Sequence, residues 1–323
     1  RPNLVVRPRL LQRLDSALAQ AHRLILISAP AGSGKTTLVS SWLAASSLPA
    51  VWLSLDGADN DPARFLSYLV AALQTVDAGI GADVLSVLQS PQPPPLEVLL
   101  TLLINDLAAA SLEANHTHRP YVLVLDDYHV ITDGGVHAAV AFFIEHLPPS
   151  VHLAIASRSD PPLPLGRLRV SGQLVEVRAS DLEFTPMDTA EFLRRRFGVD
   201  LNEADIRLLC RRTEGWPAAV QLAGLSLQSS TDQSEFVARF AGDDRNVADY
   251  LIGEALARVS DADREFLQRT SVLDQMTGPL CDAVAGVRGA AEILVRLDRH
   301  GLFPVSYTHL TLPTNVQQCR SRW

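Results

Sequence analysis

Ala29-Pro30-Ala31-Gly32-Ser33-Gly34-Lys35-Thr36 is the stretch on which the fold turns. It follows an apolar run, Leu24 to Ser28, and opens an amphipathic run, Thr36 to Ala45, so it sits between a strand and a helix. A strand, a Gly-rich turn and a helix that begins at Lys-Thr make a phosphate-binding loop, here with Ala at the first glycine position. Ala fits there because that residue makes the turn and does not contact phosphate. Gly32 and Gly34 let the backbone turn tightly and aim N–H groups at phosphate oxygens, and the helix N-terminus adds about half a positive charge. Ala31 and Ser33 belong to the same cradle. Lys35 is expected to reach the β and γ phosphates, Thr36 to give its hydroxyl to Mg²⁺, and Thr37 to contact the α-phosphate. The plainer reading of the stretch is a Gly-rich turn before a surface helix.

The loop holds the only Lys of the chain, the other 27 of its 28 basic residues being Arg. An Arg excess of this kind reads as coding bias, whereas the cradle needs a compact ammonium that the planar guanidinium replaces poorly. With 323 residues, the chain suggests two or three domains. Its 47% hydrophobic content allows full cores and excludes global disorder. A net charge of −8 argues against a generic nucleic-acid surface, though not against a basic DNA-binding domain outside this chain. Cys210, Cys281 and Cys319 are too scattered for a disulfide framework or a CxxC metal site. Apolar stretches such as Leu99 to Ile104 fall far short of the roughly 20 residues of a membrane helix, and no signal-peptide pattern opens the chain. The expectation is a soluble cytoplasmic protein with no membrane partner.

Short apolar runs alternate with helical patterns in the first half, the βαβ rhythm of an α/β parallel sheet covered on both faces. Strands are expected at Arg23 to Ser28, Ala50 to Leu55, Tyr121 to Asp126, Val151 to Ser157 and Gln173 to Arg178. Asp61 and Pro62 open a helix expected to run to Val76. After about residue 180 only helical patterns follow. Thr185-Pro186 with Asp188 starts one that stops at Gly198, Asn202 caps a second reaching about Arg212, and Pro217 to Leu227 reads as a third. Further helical patterns cover Leu251 to Val259, Asp261 to Thr270 and Ala290 to Arg299, with a strand expected after the turn Gly301-Leu302-Phe303. The domains are expected at 1–180, 181–254 and 255–304. Val305 to Trp323 contains no Ala, Asp or Glu and reads either as a non-native scar or as an ordinary disordered tail.

A second motif agrees with the first. Tyr121-Val122-Leu123-Val124-Leu125-Asp126-Asp127 is an apolar strand ending in two acids, as in a Walker B element. Asp126 is expected to hold Mg²⁺ and Asp127 to polarise an attacking water; a solvated Asp-Asp turn is the alternative. Arg158 follows the strand Val151 to Ser157 at the same carboxyl edge of the sheet, where it either senses a γ-phosphate or makes a surface ion pair. His129 lies beside the acids and reads equally as a site contact or an ordinary strand-end residue. Arg194-Arg195-Arg196 reads as a solvated helix end, and His116 with His118 have metal-ligand spacing without a third ligand.

Together these residues resemble the nucleotide-binding region of STAND ATPases, and most closely the MalT-like large ATP-binding regulators of the LuxR type. The likeness rests on Val5-Val6-Arg7-Pro8-Arg9-Leu10, the phosphate loop, Trp52-Leu53-Ser54-Leu55-Asp56 through Asp59-Asn60-Asp61-Pro62, Leu125-Asp126-Asp127-Tyr128-His129, Ala156-Ser157-Arg158, Leu182-Glu183-Phe184-Thr185 and Glu214-Gly215-Trp216-Pro217-Ala218-Ala219. It implies that the strand ending at Ser157 lies between the phosphate-loop strand and the Walker B strand. A helical domain and a winged helix, cut near Phe303, are implied to follow. It makes Arg158 the sensor arginine, places Pro217 on adenine, and puts Val6 and Arg7 at the base pocket. A helix stop before a Pro-initiated helix also accounts for Gly215-Trp216-Pro217, and both readings can hold together.

The resemblance implies ATP and ADP as ligands with Mg²⁺, a slow hydrolytic switch, self-association of the full-length protein in the ATP state, and DNA binding only through a C-terminal domain beyond this chain. Two other classes remain in view. One is a P-loop enzyme such as a small-molecule kinase or AAA+ motor, and the other is a catalytically silent nucleotide-binding scaffold.

Overall fold

The computed structural model describes residues 5–46, 48–90, 92, 94–112, 121–230, 232–240, 260–273 and 276–299. The chain divides into two compact units, Arg1–Glu183 and Phe184–Trp323.

The first unit is built on five parallel strands: β1 Leu24–Ser28, β2 Ala50–Ser54, β3 Tyr121–Asp126, β4 Val151–Ser157 and β5 Leu174–Arg178. Their spatial order is β2-β3-β4-β1-β5, so β4 separates the phosphate-loop strand from the Walker B strand, as the resemblance implied. The register aligns Ser28 with Ser157 and Ser54 with Asp126, which brings the ends of all four strands to one carboxyl edge. Ligands of open α/β sheets bind at that edge.

Strand alternation sorts the apolar side chains onto the two faces. Leu24, Leu26, Leu123, Leu125, Leu153 and Ile155 pack on one face, in one cluster with side chains of α3 Pro62–Leu73, α4 Ala82–Leu88, α5 Leu96–Leu112 and α6 Gly134–His146. Ile25, Ile27, Val122, Val124 and Ala154 pack on the other, against α1 Pro8–Ala19 and α2 Lys35–Ser46. Both faces being buried explains why β1, β3 and β4 read as continuous apolar runs rather than alternating ones. Truncating any of these Leu or Ile side chains to Ala costs about 2–5 kcal/mol.

The caps act where the sequence places them. Asp61 accepts from Arg64 N–H with Pro62 at the first helical position, although α3 ends at Leu73, short of the expected Val76. In the second unit, Thr185 and Asp188 form a reciprocal capping box for the helix Pro186–Phe197, which stops at a left-handed Gly198. Asn202 caps Glu203–Arg212, and Pro217–Ser229 and Gln233–Arg239 follow. Leu193, Leu209, Val220 and Leu227 form the apolar centre of this part. A separate cluster around Phe266, Cys281 and Leu297 joins the helices Asp261–Thr270, Gly278–Ala285 and Ala290–Arg299. Among the described residues no strand follows Arg178. The helix expected over 251–259, the strand after Phe303, the stretch 305–323 and the His116/His118 pair lie outside the described residues.

Among the described residues no helix is long and apolar enough to cross a membrane.

Candidate nucleotide site

The loop between β1 and α2 takes its shape from two glycines. Gly32 and Gly34 have φ of 73° and 85°, a left-handed conformation that L side chains adopt at a cost of roughly 1–2 kcal/mol. The start of the loop hangs on the neighbouring strand, since Ala29 N–H donates to the Ser157 carbonyl at 3.2 Å. Ser33 and Lys35 are buried, whereas Thr36 and Thr37 are exposed on the first turn of α2.

Lys35 folds back over its own loop, its Nζ donating to the carbonyls of Ala29 (2.7 Å) and Pro30 (2.9 Å). Burial, joined by the charge of Arg158, pulls the ammonium pKa down to about 8 against the opposing charges of Asp127 and Asp126. These four side chains therefore share one electrostatic neighbourhood, although they come from three separate loops of the carboxyl edge.

Thr36 Oγ1 donates to the Asp126 carboxylate, 3.0 and 3.2 Å from its two oxygens, across 90 residues of sequence. Asp126 is buried, and burial pushes its pKa up while the Thr36 hydrogen bond opposes that rise. A hydroxyl against a carboxylate is the donor pair that suits Mg²⁺, which takes one or two protein oxygens and fills its octahedron with phosphate and water. Among the described residues no group of three or more His, Cys, Asp and Glu could form an all-protein metal cage. The residues present thus fit a Mg²⁺ ion carried in with a polyphosphate.

Asp127 differs from its neighbour. Its backbone is left-handed (φ 56°, ψ 33°) without a glycine, and its carboxylate is about half exposed. Such a conformation costs on the order of 1–3 kcal/mol and persists only where the surroundings hold it. One restraint is Tyr128, which is fully buried and whose hydroxyl pairs with His137 Nδ1 on α6 at 3.0 Å. His129 Nδ1 lies 3.8 Å from Asp127 Oδ1, on an imidazole that is 9% exposed, so His129 faces the acid at the rim. Arg158 is half-buried directly after β4.

The remaining expected residues divide. Val6, about half exposed, lines a cavity of about 370 Å³ with Leu11, Thr37, Ser41, Ala44 and Trp52; Thr36 belongs to the same wall. Small-molecule sites are commonly about this size or larger. The sequence reading missed Ser41, Ala44 and Trp52. The four-residue spacing of Thr37 and Ser41 on α2 is the signal that could have found the first. Arg7 is engaged elsewhere: its guanidinium donates to the carbonyls of Asp181, Leu182 and Glu183 at 3.0, 2.5 and 2.7 Å, holding the end of the short helix Ala179–Leu182. Pro217 belongs to the second unit, where it starts a helix after the left-handed pair Glu214 and Gly215. Locally that is a helix stop followed by a Pro-initiated helix.

The comparisons follow the two halves of the chain. The family described as AAA ATPase domain matches residues 3–156, and the MalT winged helix domain matches residues 252–309. The HTH-type transcriptional regulator MalT of Serratia proteamaculans (strain 568) is 39% identical over 305 residues, covering 93% of this chain and 32% of that protein. MalT of Yersinia enterocolitica is 38% identical over 303 residues with the same coverage. The chain thus spans about a third of the length of these relatives. A Walker-type ATPase of Pyrococcus abyssi shares the fold, with a TM-score of 0.58 at 16% identity over 93% of this chain and 89% of that one. The resemblance to MalT-like regulators carried by the motifs therefore extends along nearly the whole chain, and the α/β P-loop fold is shared with a solved ATPase.

Proposed function

We propose that the chain is the ATP-binding and slowly hydrolysing switch module of a MalT-type transcription regulator. The observation that carries this reading is the Thr36 hydroxyl set against the Asp126 carboxylate beside Lys35, because a phosphate loop alone does not imply a metal–nucleotide site. Bound Mg²⁺ would neutralise phosphate charge at Thr36 and Asp126. Lys35 exchanges its two carbonyl partners for phosphate oxygens, the main chain of residues 31–35 receives the β-phosphate, and Thr37 meets the α-phosphate. Asp127 orients and polarises the attacking water, and Arg158 places a cation where the γ-phosphate ends. Val6, on the wall of the cavity beside Thr36 and Thr37, belongs to the base side of the site. The three-part division at 1–180, 181–254 and 255–304 belongs to the same reading, as does a cytoplasmic setting. Self-association in the ATP state and DNA contact are assigned to the regulator as a whole, through segments beyond this chain.

The test is calorimetric titration with ATP and ADP in the presence of Mg²⁺, using the wild type and Lys35→Ala. Saturation at a thousandfold over Kd should raise stability by about 4 kcal/mol. Lys35→Ala should weaken binding at least about a hundredfold, since two charge-assisted contacts of about 1.5–3 kcal/mol each are lost. No thermal shift with either nucleotide in a folded sample would overturn the reading. Steady turnover well above one per second, or phosphate transfer to a metabolite, would favour a P-loop enzyme with a separate acceptor.

A further inference from the structure

The loop after β3 holds an acid in a reluctant backbone conformation without help from glycine, and the neighbouring loop after β2 supplies a device that does so. We propose that Asn60 is a positioning residue for hydrolysis, locking residues 130–133 and thereby fixing Asp127. The proposal rests on the reading of Asp127 as the group that polarises water.

The Asn60 amide is used at both ends. Its Nδ2 donates to the carbonyls of Gly57 (3.1 Å) and Val130 (2.9 Å). Its Oδ1 accepts from Thr132 N–H (2.6 Å), Thr132 Oγ1 (3.2 Å) and Asp133 N–H (2.9 Å). Four of these five bonds cross about 70 residues to one short segment. That segment is coupled to Asp127 by a single turn, because Val130 N–H donates to the Asp127 carbonyl and Ile131 N–H to that of Tyr128. Asp133 then caps α6, accepting from Val136 N–H at 2.9 Å, so the far end of the segment is anchored as well.

Asn60 itself stands on a stiff support. It ends a 3-10 turn, Gly57–Asn60, closed by a reciprocal capping box between Asp56 and Asp59. Asp59 is buried and pairs with Arg64 Nε at 3.1 Å. The turn follows β2, whose last residue aligns with Asp126 and whose extension, Leu55 N–H, donates to the Asp126 carbonyl. Asn60 therefore reaches the acid's loop from a platform already in register with the acid. An amide suits this task and a carboxylate does not, since only the amide can donate to carbonyls with one arm and accept main-chain N–H with the other.

The experiment is single-turnover hydrolysis of Mg-ATP by the whole chain, with Kd for ATP and ADP measured in parallel. Asn60→Ala and Asn60→Asp are compared, each alone and combined with Asp127→Asn. The expected result is a hydrolysis rate at least tenfold lower for each single variant with both Kd values within threefold of wild type. In the Asp127→Asn background, changing Asn60 should alter the rate by less than twofold, because the group it positions has already gone. Asn60→Asp keeps the shape and the acceptor, so it carries the comparison if the Ala variant does not fold. Wild-type rates in the Asn60 variants, or losses that multiply in the double variants, would overturn the proposal. A wild-type rate in Asp127→Asn, or no hydrolysis by the parent chain, overturns the reading of Asp127 and the proposal with it. A slow Asp127→Asn beside fast Asn60 variants overturns only the positioning role.

Discussion

Two loops meet at the carboxyl edge of the sheet, and they reach their shapes by opposite means. The loop after β1 is formed by its own backbone: Gly32 and Gly34 take left-handed conformations, and Lys35 closes onto carbonyls five and six residues back. The loop after β3 has a left-handed Asp127 and no glycine, and it is held by side chains from elsewhere, with Tyr128 on His137 and Asn60 on residues 130–133. Apart from the anchor of Ala29 N–H on the Ser157 carbonyl, the first loop takes its shape from residues within it. The second depends on the surrounding structure, so its conformation can respond to changes some distance away.

The largest effect expected from this contrast lies in the pH dependence of the first loop. The folded Lys35 pKa is about 8 against 10.5 for the unfolded side chain, so the unfolded state binds more protons between those values. Stability should then rise with pH from about 8 to 10.5, by about 3 kcal/mol if the whole shift is realised. Urea denaturation across that range should show the rise in the wild type and lose it in Lys35→Met; parallel curves for both proteins would contradict the assignment.

Next in size is Gly34→Ala. An added Cβ at Gly34 meets no atom within 4 Å, so the cost comes from the left-handed backbone alone and should be about 1–2 kcal/mol. A melt unchanged from wild type would mean that the loop tolerates a side chain and is not shaped by its glycines. Smaller still, Tyr128→Phe removes one hydrogen bond of the second loop and should cost about 1 kcal/mol. His137 adds a pH signature to this restraint. Burial lowers its pKa, so its contribution is present above the unfolded value of 6.5 and is lost as the pH falls through the folded value. A Tyr128→Phe variant with wild-type stability and slower hydrolysis would shift the emphasis from holding the loop to tuning it.

The same contrast explains what was legible in the sequence. The phosphate loop, the β3 acids and the caps at Asp61, Thr185, Asn202 and Gly198 are written in residues that touch their neighbours within a few positions, so spacing alone reveals them. The sheet order followed from the resemblance and not from periodicity, which cannot rank strands. Asn60 could be quoted as part of a motif, but its partners lie about 70 residues away and no local pattern points to them. Arg7 illustrates the same limit: its guanidinium bonds to carbonyls about 175 residues downstream, a contact set by how β5 and α1 pack and carrying no signature near either end. Trp52 stands in a quoted motif, but its place on the cavity wall depends on how β2 and α2 pack and has no local signature.

The carbonyls of Ala29 and Pro30 receive the Lys35 ammonium as phosphate oxygens would. The cradle therefore behaves as an ion exchanger in which one set of oxygens replaces another around a cation that stays in place. Near pH 8 to 9 part of that cation has lost its proton, and an arriving polyphosphate must restore it. Nucleotide binding in that range should take up from about half a proton at pH 8 to most of one at pH 9, so its measured heat should change with the ionisation enthalpy of the buffer and cease to do so in Lys35→Met.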